Sequence, residues 1–172
     1  MSKKQVVIET AEEKMKTNSK IMVACDLSAH SKEAIRCGAA LAMDLNTELL
    51  IVNVINQRDV TAMEHAIEKI KAEISNFPVT IGEYLEGLKK QRKDDIDKLL
   101  AELDCPKPPH AIRIAVGVPF KRLIDVAKDE GPRFVVIGTK GRSNLADVIL
   151  GATAEKMFRH CPFPLVSVRL QE

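Results

Sequence analysis

Three glycines in the last third of the chain are spaced to hold a phosphate. Val135-Val136-Ile137-Gly138-Thr139-Lys140-Gly141 is followed, after nine residues, by Gly151-Ala152-Thr153, which reads as a buried strand, a glycine-punctuated loop and a new helix. Glycines let consecutive backbone N–H groups turn inward with no Cβ in the way, and a helix starting at the third glycine points unpaired N–H groups and its positive dipole end at an anion. Lys140 and Arg142 flank Gly141 and could pair with phosphate oxygens, Arg142 through a bidentate fork. A plainer reading is also open: Gly138 ends a strand, Gly151 caps a short helix, and the two cations are solvated loop charges.

A second chemical feature closes the first apolar run, Ala24-Cys25-Asp26. Ligands of an open parallel sheet bind beyond the carboxyl ends of the strands, where strand order reverses, so Asp26 and the glycine loop could share one crevice. Asp26 could accept hydrogen bonds from a ribose or oppose a metal near phosphates; equally, it could cap the helix that follows. Cys25 makes a poor nucleophile, because the adjacent carboxylate disfavours a thiolate. The four histidines and four cysteines fall in no metal-ligand or C-x-x-C spacing, so neither a zinc site nor a disulfide framework is expected. The P-loop, dinucleotide, H-E-x-x-H and G-x-S-x-G patterns are missing. No acid, base and nucleophile stand together, and the chain reads as a binding protein, not an enzyme.

Five apolar, β-branched segments must position these residues: 20–25, 48–55, 111–116, 134–137 and 165–168. They lack in/out alternation and are separated by helical patterns, which fits a parallel sheet covered on both faces. Ser28 or Ser31 could cap a first helix with Ala34, Ile35, Gly38, Leu41, Ala42 and Leu45 on one face. Pro119 opens another carrying Phe120, Leu123, Ile124 and Ala127, and Gly131-Pro132 stops it. A last helix runs from about Thr153 to His160, ended by Pro162 and Pro164. Between the second and third strands, Val60, Met63, Ile67, Ile70, Ile74 and Phe77 form one apolar stripe; after Pro78, Ile81, Leu85, Leu88, Ile96, Leu99 and Leu103 form a second. The spacing predicts a helical pair over about 60–103, packed on the sheet or over a site. Residues 1–19, rich in Lys and Glu, read as an extension.

Composition excludes several partners. At 172 residues the chain suits one domain burying about 70% of its unfolded surface. A net charge of +2 gives no field to attract nucleic acid or anionic lipid, and one Tyr, five Phe and no Trp give little for stacking nucleic-acid bases. The longest apolar run, Leu49 to Val52, is too short to cross a bilayer, and Val6-Val7-Ile8 is too short for a signal peptide. The expectation is a cytoplasmic protein with no nucleic-acid or membrane partner.

Together these residues resemble the universal stress protein family over roughly Lys20 to Leu170. Gly138-Thr139-Lys140-Gly141 and Gly151-Ala152 match the pattern G-x2-G-x9-G-[ST] of its ATP-binding members in all three glycines and both spacings. Supporting matches are the strand entering Asp26, Val116-Gly117-Val118-Pro119 before a helix, and the ending from Arg159 to Arg169. The resemblance implies an α/β fold: a single-domain, Rossmann-like (adenine nucleotide alpha hydrolase-like) open parallel sheet of five strands, order 3-2-1-4-5, with helices on both faces. It also implies that Asp26 and the backbone of Ala24 and Cys25 meet the nucleoside, that Val54 contacts adenine, and that Gly138, Gly141, Gly151, Ala152 and Thr153 hold the phosphates.

The chain departs from the pattern at Ala152, where the family has Ser or Thr. One missing hydroxyl donor is worth about 0.5–3 kcal/mol depending on the charge of its acceptor, so it weakens ATP about 2- to 150-fold without removing a site built from backbone donors. The implied function is a cytoplasmic stress-response protein that binds ATP or a related adenine nucleotide, with Mg²⁺ as accompanying cation and no tightly bound metal, and acts through conformation or a protein partner not named by the sequence. The alternative is a nucleotide-free homodimeric interaction module. The strand Leu165-Val166-Ser167-Val168-Arg169, last in the sheet, is an edge that invites antiparallel pairing with its own copy across a two-fold axis, as in many family members. Pro162, Pro164 and Arg169 could instead blunt it.

Overall fold

Strands that are apolar on both faces need cover on both, and this chain supplies it. The computed structural model describes residues 20–74, 77–141 and 150–170. Along them run β1 (Lys20–Ala24), α1 (Ala29–Asp44), β2 (Glu48–Asn56), α2 (Gln57–Glu73), α3 (Ile81–Glu102), β3 (His110–Gly117), α4 (Pro119–Glu130), β4 (Phe134–Gly138), α5 (Ala152–His160) and β5 (Leu165–Val168). Every pairing is parallel and the order is β3-β2-β1-β4-β5, as expected. Alternate residues of β1 divide the core: Ile21 and Val23, with Cys25 just past the strand, pack with α1 and α3, whereas Met22 and Ala24 pack with α4 and α5. Order reverses at β1, which has β2 on one side and β4 on the other.

The start and stop signals work as read. Ser28 is the N-cap of α1, its hydroxyl accepting from the Ser31 amide; Pro119 opens α4, and Gly131 closes it in the left-handed region at φ 57°, a conformation glycine reaches without strain. The helical pair breaks around Pro78, and α3 begins with a reciprocal Thr80–Glu83 capping box. One expectation needs correction. The apolar stripe read along 60–77 is not a buried face: α2 buries Val60 and Ile67, while Ile70 and Ile74 are exposed. α2 packs against β2 and α3, and the far part of its stripe lies outside that contact.

An ion cluster ties β1, β3 and the end of α4 together. Lys20 Nζ lies 2.7 Å from Glu130 Oε2, and Arg113 reaches Glu130 Oε1 at 3.0 Å and Asp129 Oδ2 at 3.1 Å. The Lys20 ammonium hydrogen-bonded to Glu130, with Arg113 beside it, holds this carboxyl below the usual glutamate range. A carboxylate with a depressed folded pKa stabilises above its unfolded value of about 4.3 and loses that contribution as pH falls through the folded value. Glu130→Gln should therefore cost about 1 kcal/mol at pH 7, with the deficit shrinking towards pH 3. Urea melts at both pH values check this; an equal deficit at both would show that charge is not what Glu130 contributes.

Candidate functional site

Beyond the carboxyl ends of β1, β2 and β4 lies a crevice of about 500 Å³. Its position is the switch point of the sheet, where the loops after β1 and β4 diverge to opposite faces and leave a gap. Ala24, Cys25, Asp26, Val54, Gly138, Lys140, Gly141, Gly151, Ala152 and Thr153 all line it. Arg142, singled out with them in the sequence, lies outside the described residues.

The end of β1 is held from both sides. The Cys25 amide donates to Val52 O at 2.9 Å, and its carbonyl accepts from Asn53 Nδ2 at 2.7 Å. The chain then turns through Leu27 at φ 67°, a left-handed conformation that is strained for a branched side chain. Asp26 Oδ1 accepts from the Ser28 amide at 3.0 Å. The alternative reading of Asp26 as the helix cap is thus corrected: Ser28 caps α1, and Asp26 braces the turn before it. Asn53 is buried, and its Oδ1 has no hydrogen-bond partner among the described residues; the other side of this amide fixes Cys25.

The second wall is the glycine loop. Thr139 N bonds Val168 O at 2.9 Å, continuing the β4–β5 ladder, and Gly151 N returns to Thr139 O at 2.8 Å, so the two ends of the loop are clasped. Gly151 is the N-cap of α5, and no side chain of the described residues caps that helix. Its first turn lines the crevice with amides that have no side-chain acceptor among the described residues, the arrangement that attracts an anion. The three glycines serve different ends. A Cβ on Gly138 would lie 2.8 Å from His30 Cβ and 2.9 Å from the His30 carbonyl group; one on Gly141 would lie 2.7 Å from Asp26 Oδ2; one on Gly151 would meet nothing closer than 3.5 Å. Gly138 lets α1 approach β4, Gly141 lets the loop approach Asp26, and Gly151 leaves room.

A third wall comes from the helical pair, read in the sequence as packed on the sheet or over a site; Leu88 stands in its stripe, but Tyr84 and Arg92 were not singled out. Tyr84, Leu88 and Arg92 of α3, with Asn56 and Asp59 at the start of α2, also line the crevice. Among the described residues no group of three or more His, Cys, Asp or Glu side chains could hold a metal by itself. One carboxylate, Asp26, beside a glycine loop suits Mg²⁺, which takes one or two carboxylates and completes its shell with phosphate oxygens and water.

Comparison with known proteins follows the same lines. The Universal stress protein family profile matches residues 17–169. Universal stress protein MJ0577 of Methanocaldococcus jannaschii is 22% identical over 154 residues, covering 87% of this chain and 94% of that protein; its solved structure superposes with a TM-score of 0.72 at 21% identity over 90% of this chain and 98% of that one. Universal stress protein YxiE of Bacillus subtilis is 29% identical over 161 residues, covering 88% and 99%. A universal stress protein solved in complex with cAMP shares the fold at a TM-score of 0.57 and 17% identity, covering 90% and 98%.

Proposed function

Since the chain belongs to the universal stress protein family, we propose that it binds ATP or a related adenine nucleotide in this crevice and acts through conformation or a protein partner, without fast chemistry. The observation that carries the reading is the meeting of the Asp26 carboxylate, the Gly141 loop and the uncapped N-terminus of α5 on one crevice. Ala24, Cys25, Asp26 and Val54 would take the nucleoside. Gly138, Lys140, Gly141, Gly151, Ala152 and Thr153 would take the phosphates, with Arg142 of the same loop, and Mg²⁺ would neutralise part of the phosphate charge when bound. The fold's relative in complex with cAMP supports the choice of an adenine nucleotide. No helix of the described residues is long and apolar enough to cross a membrane; the family membership is the ground on which a cytoplasmic site of action is proposed for the domain spanning 20–170.

Chromatography of the supernatant from purified, denatured protein, followed by calorimetric titration of the nucleotide-free form with ATP, tests the proposal. Co-purified adenine nucleotide or saturable ATP binding supports it. Neither would favour the nucleotide-free homodimeric module, the reading that Ala152 with its missing hydroxyl supports.

The dimer belongs to the same proposal. β5 is an edge strand; Val135 N bonds Pro164 O and Thr139 N bonds Val168 O. Alternate residues of a strand turn their amides to opposite sides, so Val166 faces β4 and Leu165 and Ser167 offer their N–H and C=O groups outward. Ser167→Pro should remove an outward donor and shift the protein to monomer in analytical ultracentrifugation, whereas proline at 166 would break the internal ladder instead. An unchanged dimer mass for Ser167→Pro would place the interface elsewhere.

A further inference from the structure

We infer that Tyr84 and Arg92 of α3 read the base of the bound nucleotide and decide which nucleotide the crevice takes; the inference rests on the nucleotide reading above. Residues 84, 88, 92 and 96 step by four along one helix face. Ile96, with Leu99, Leu100 and Leu103 beyond it, is core; Tyr84, Leu88 and Arg92, higher on the same face, line the crevice. The stripe changes chemistry where it leaves the sheet. Tyr84 is the sole tyrosine of the chain and the sole aromatic residue on the crevice among those described. Arg92 is half-buried, and its guanidinium makes no hydrogen bond or ion pair with any described residue. A partly desolvated guanidinium without an acceptor is unfavourable, and a ligand offering acceptors would relieve it.

The sheet says which part of the ligand that is. α3 packs on β3, while the glycine loop follows β4, and β2 and β1 lie between them. From β4 to β2 alone is two strand spacings, about 10 Å. A nucleotide with its phosphates on the α5 terminus therefore extends its base towards α3. There Tyr84 offers a ring face for stacking, and Arg92 offers five N–H donors and no acceptor, which suits the ring nitrogens N3 and N7 of a purine. The crevice so built selects purine over pyrimidine nucleotides.

Calorimetry with AMP, adenosine and CMP on the full chain tests this. Tyr84→Leu and Arg92→Met should each weaken AMP and adenosine by the same factor, about 5- to 100-fold, Tyr84→Phe should retain binding, and CMP should bind wild type more weakly than AMP does. The ligand-free variants should melt like wild type, since neither side chain is in the core. Equal AMP affinity in wild type and both variants overturns the inference, as does a loss at Arg92→Met confined to AMP, which would put the guanidinium on phosphate. If wild type binds none of the three, the nucleotide reading itself falls; if it binds and the variants bind equally well, only the α3 assignment does.

Discussion

Gly138→Ala should lower the melting temperature by about 2–12 °C, whether or not nucleotide is present. The added Cβ would lie 2.8 Å from His30 Cβ and 2.9 Å from the His30 backbone carbon and oxygen, so a helix backbone, not a movable side-chain tip, has to yield. α1 cannot withdraw freely: its first turn is fastened by the Ser28 cap and follows a turn already strained at Leu27. Overpacking of this kind costs about 1–3 kcal/mol, and each kcal/mol moves the midpoint of a chain this long by about 2–4 °C. Scanning calorimetry of the ligand-free protein reads the effect. A midpoint within about 1 °C of wild type would mean that β4 and α1 do not approach as described. Gly151→Ala is the control: its Cβ meets only ordinary contacts, and φ there is −67°, so stability should hardly change.

Gly141→Val should instead leave the fold standing and remove ATP binding. Its Cβ would fall 2.7 Å from Asp26 Oδ2, displacing the carboxylate that braces the Ser28 amide, and its methyl groups would occupy the space a phosphate needs. Losing the loop's approach together with one charge-assisted contact amounts to about 3 kcal/mol or more, over 100-fold in affinity. Titration calorimetry on the folded variant, beside Ala152→Ser, decides it. The serine should tighten ATP several-fold by restoring a hydroxyl donor at the first turn of α5. Equal ATP affinity in wild type and Gly141→Val would move the site away from the loop.

The sheet and its switch point could be read in advance because their signals are local and repeated: β-branched runs without alternation, a Pro at one helix start and a Gly at its end. Asp26 and the glycine loop converge as a consequence of that topology, so their meeting was legible too. What each glycine does was not. One spacing pattern covers three positions, but only coordinates show that Gly138 meets His30, Gly141 meets Asp26 and Gly151 meets nothing close. Asn53 left a trace, a lone polar residue inside Leu49 to Ile55, yet its task depends on where the Cys25 carbonyl lies, 28 positions earlier in the chain. Arg92 was hidden because, between Leu88 and Ile96, polar side chains read as solvent-facing, and Tyr84 because it stands between Ile81 and Leu85 outside the apolar stripe; only the placement of α3 over the crevice gives them another surface.

That placement also gives α3 an uneven grip on the rest of the molecule. Its last two turns, through Ile96, Leu99 and Leu100, are locked in the core with Ile35 and Ile51, whereas its first turns begin at a capping box and bury no residue. Backbone hydrogen bonds within one helix then open with different free energies, near the global value at the anchored end and far lower at the overhanging one. A ligand touching the overhanging turns would spend part of its interaction energy stilling them, so that its arrival would register as slowed amide exchange around residues 81–92 and leave 96–102 unchanged. Occupancy of the crevice would then be felt on the outer surface of the protein through the helix end that the core does not anchor, without moving the sheet.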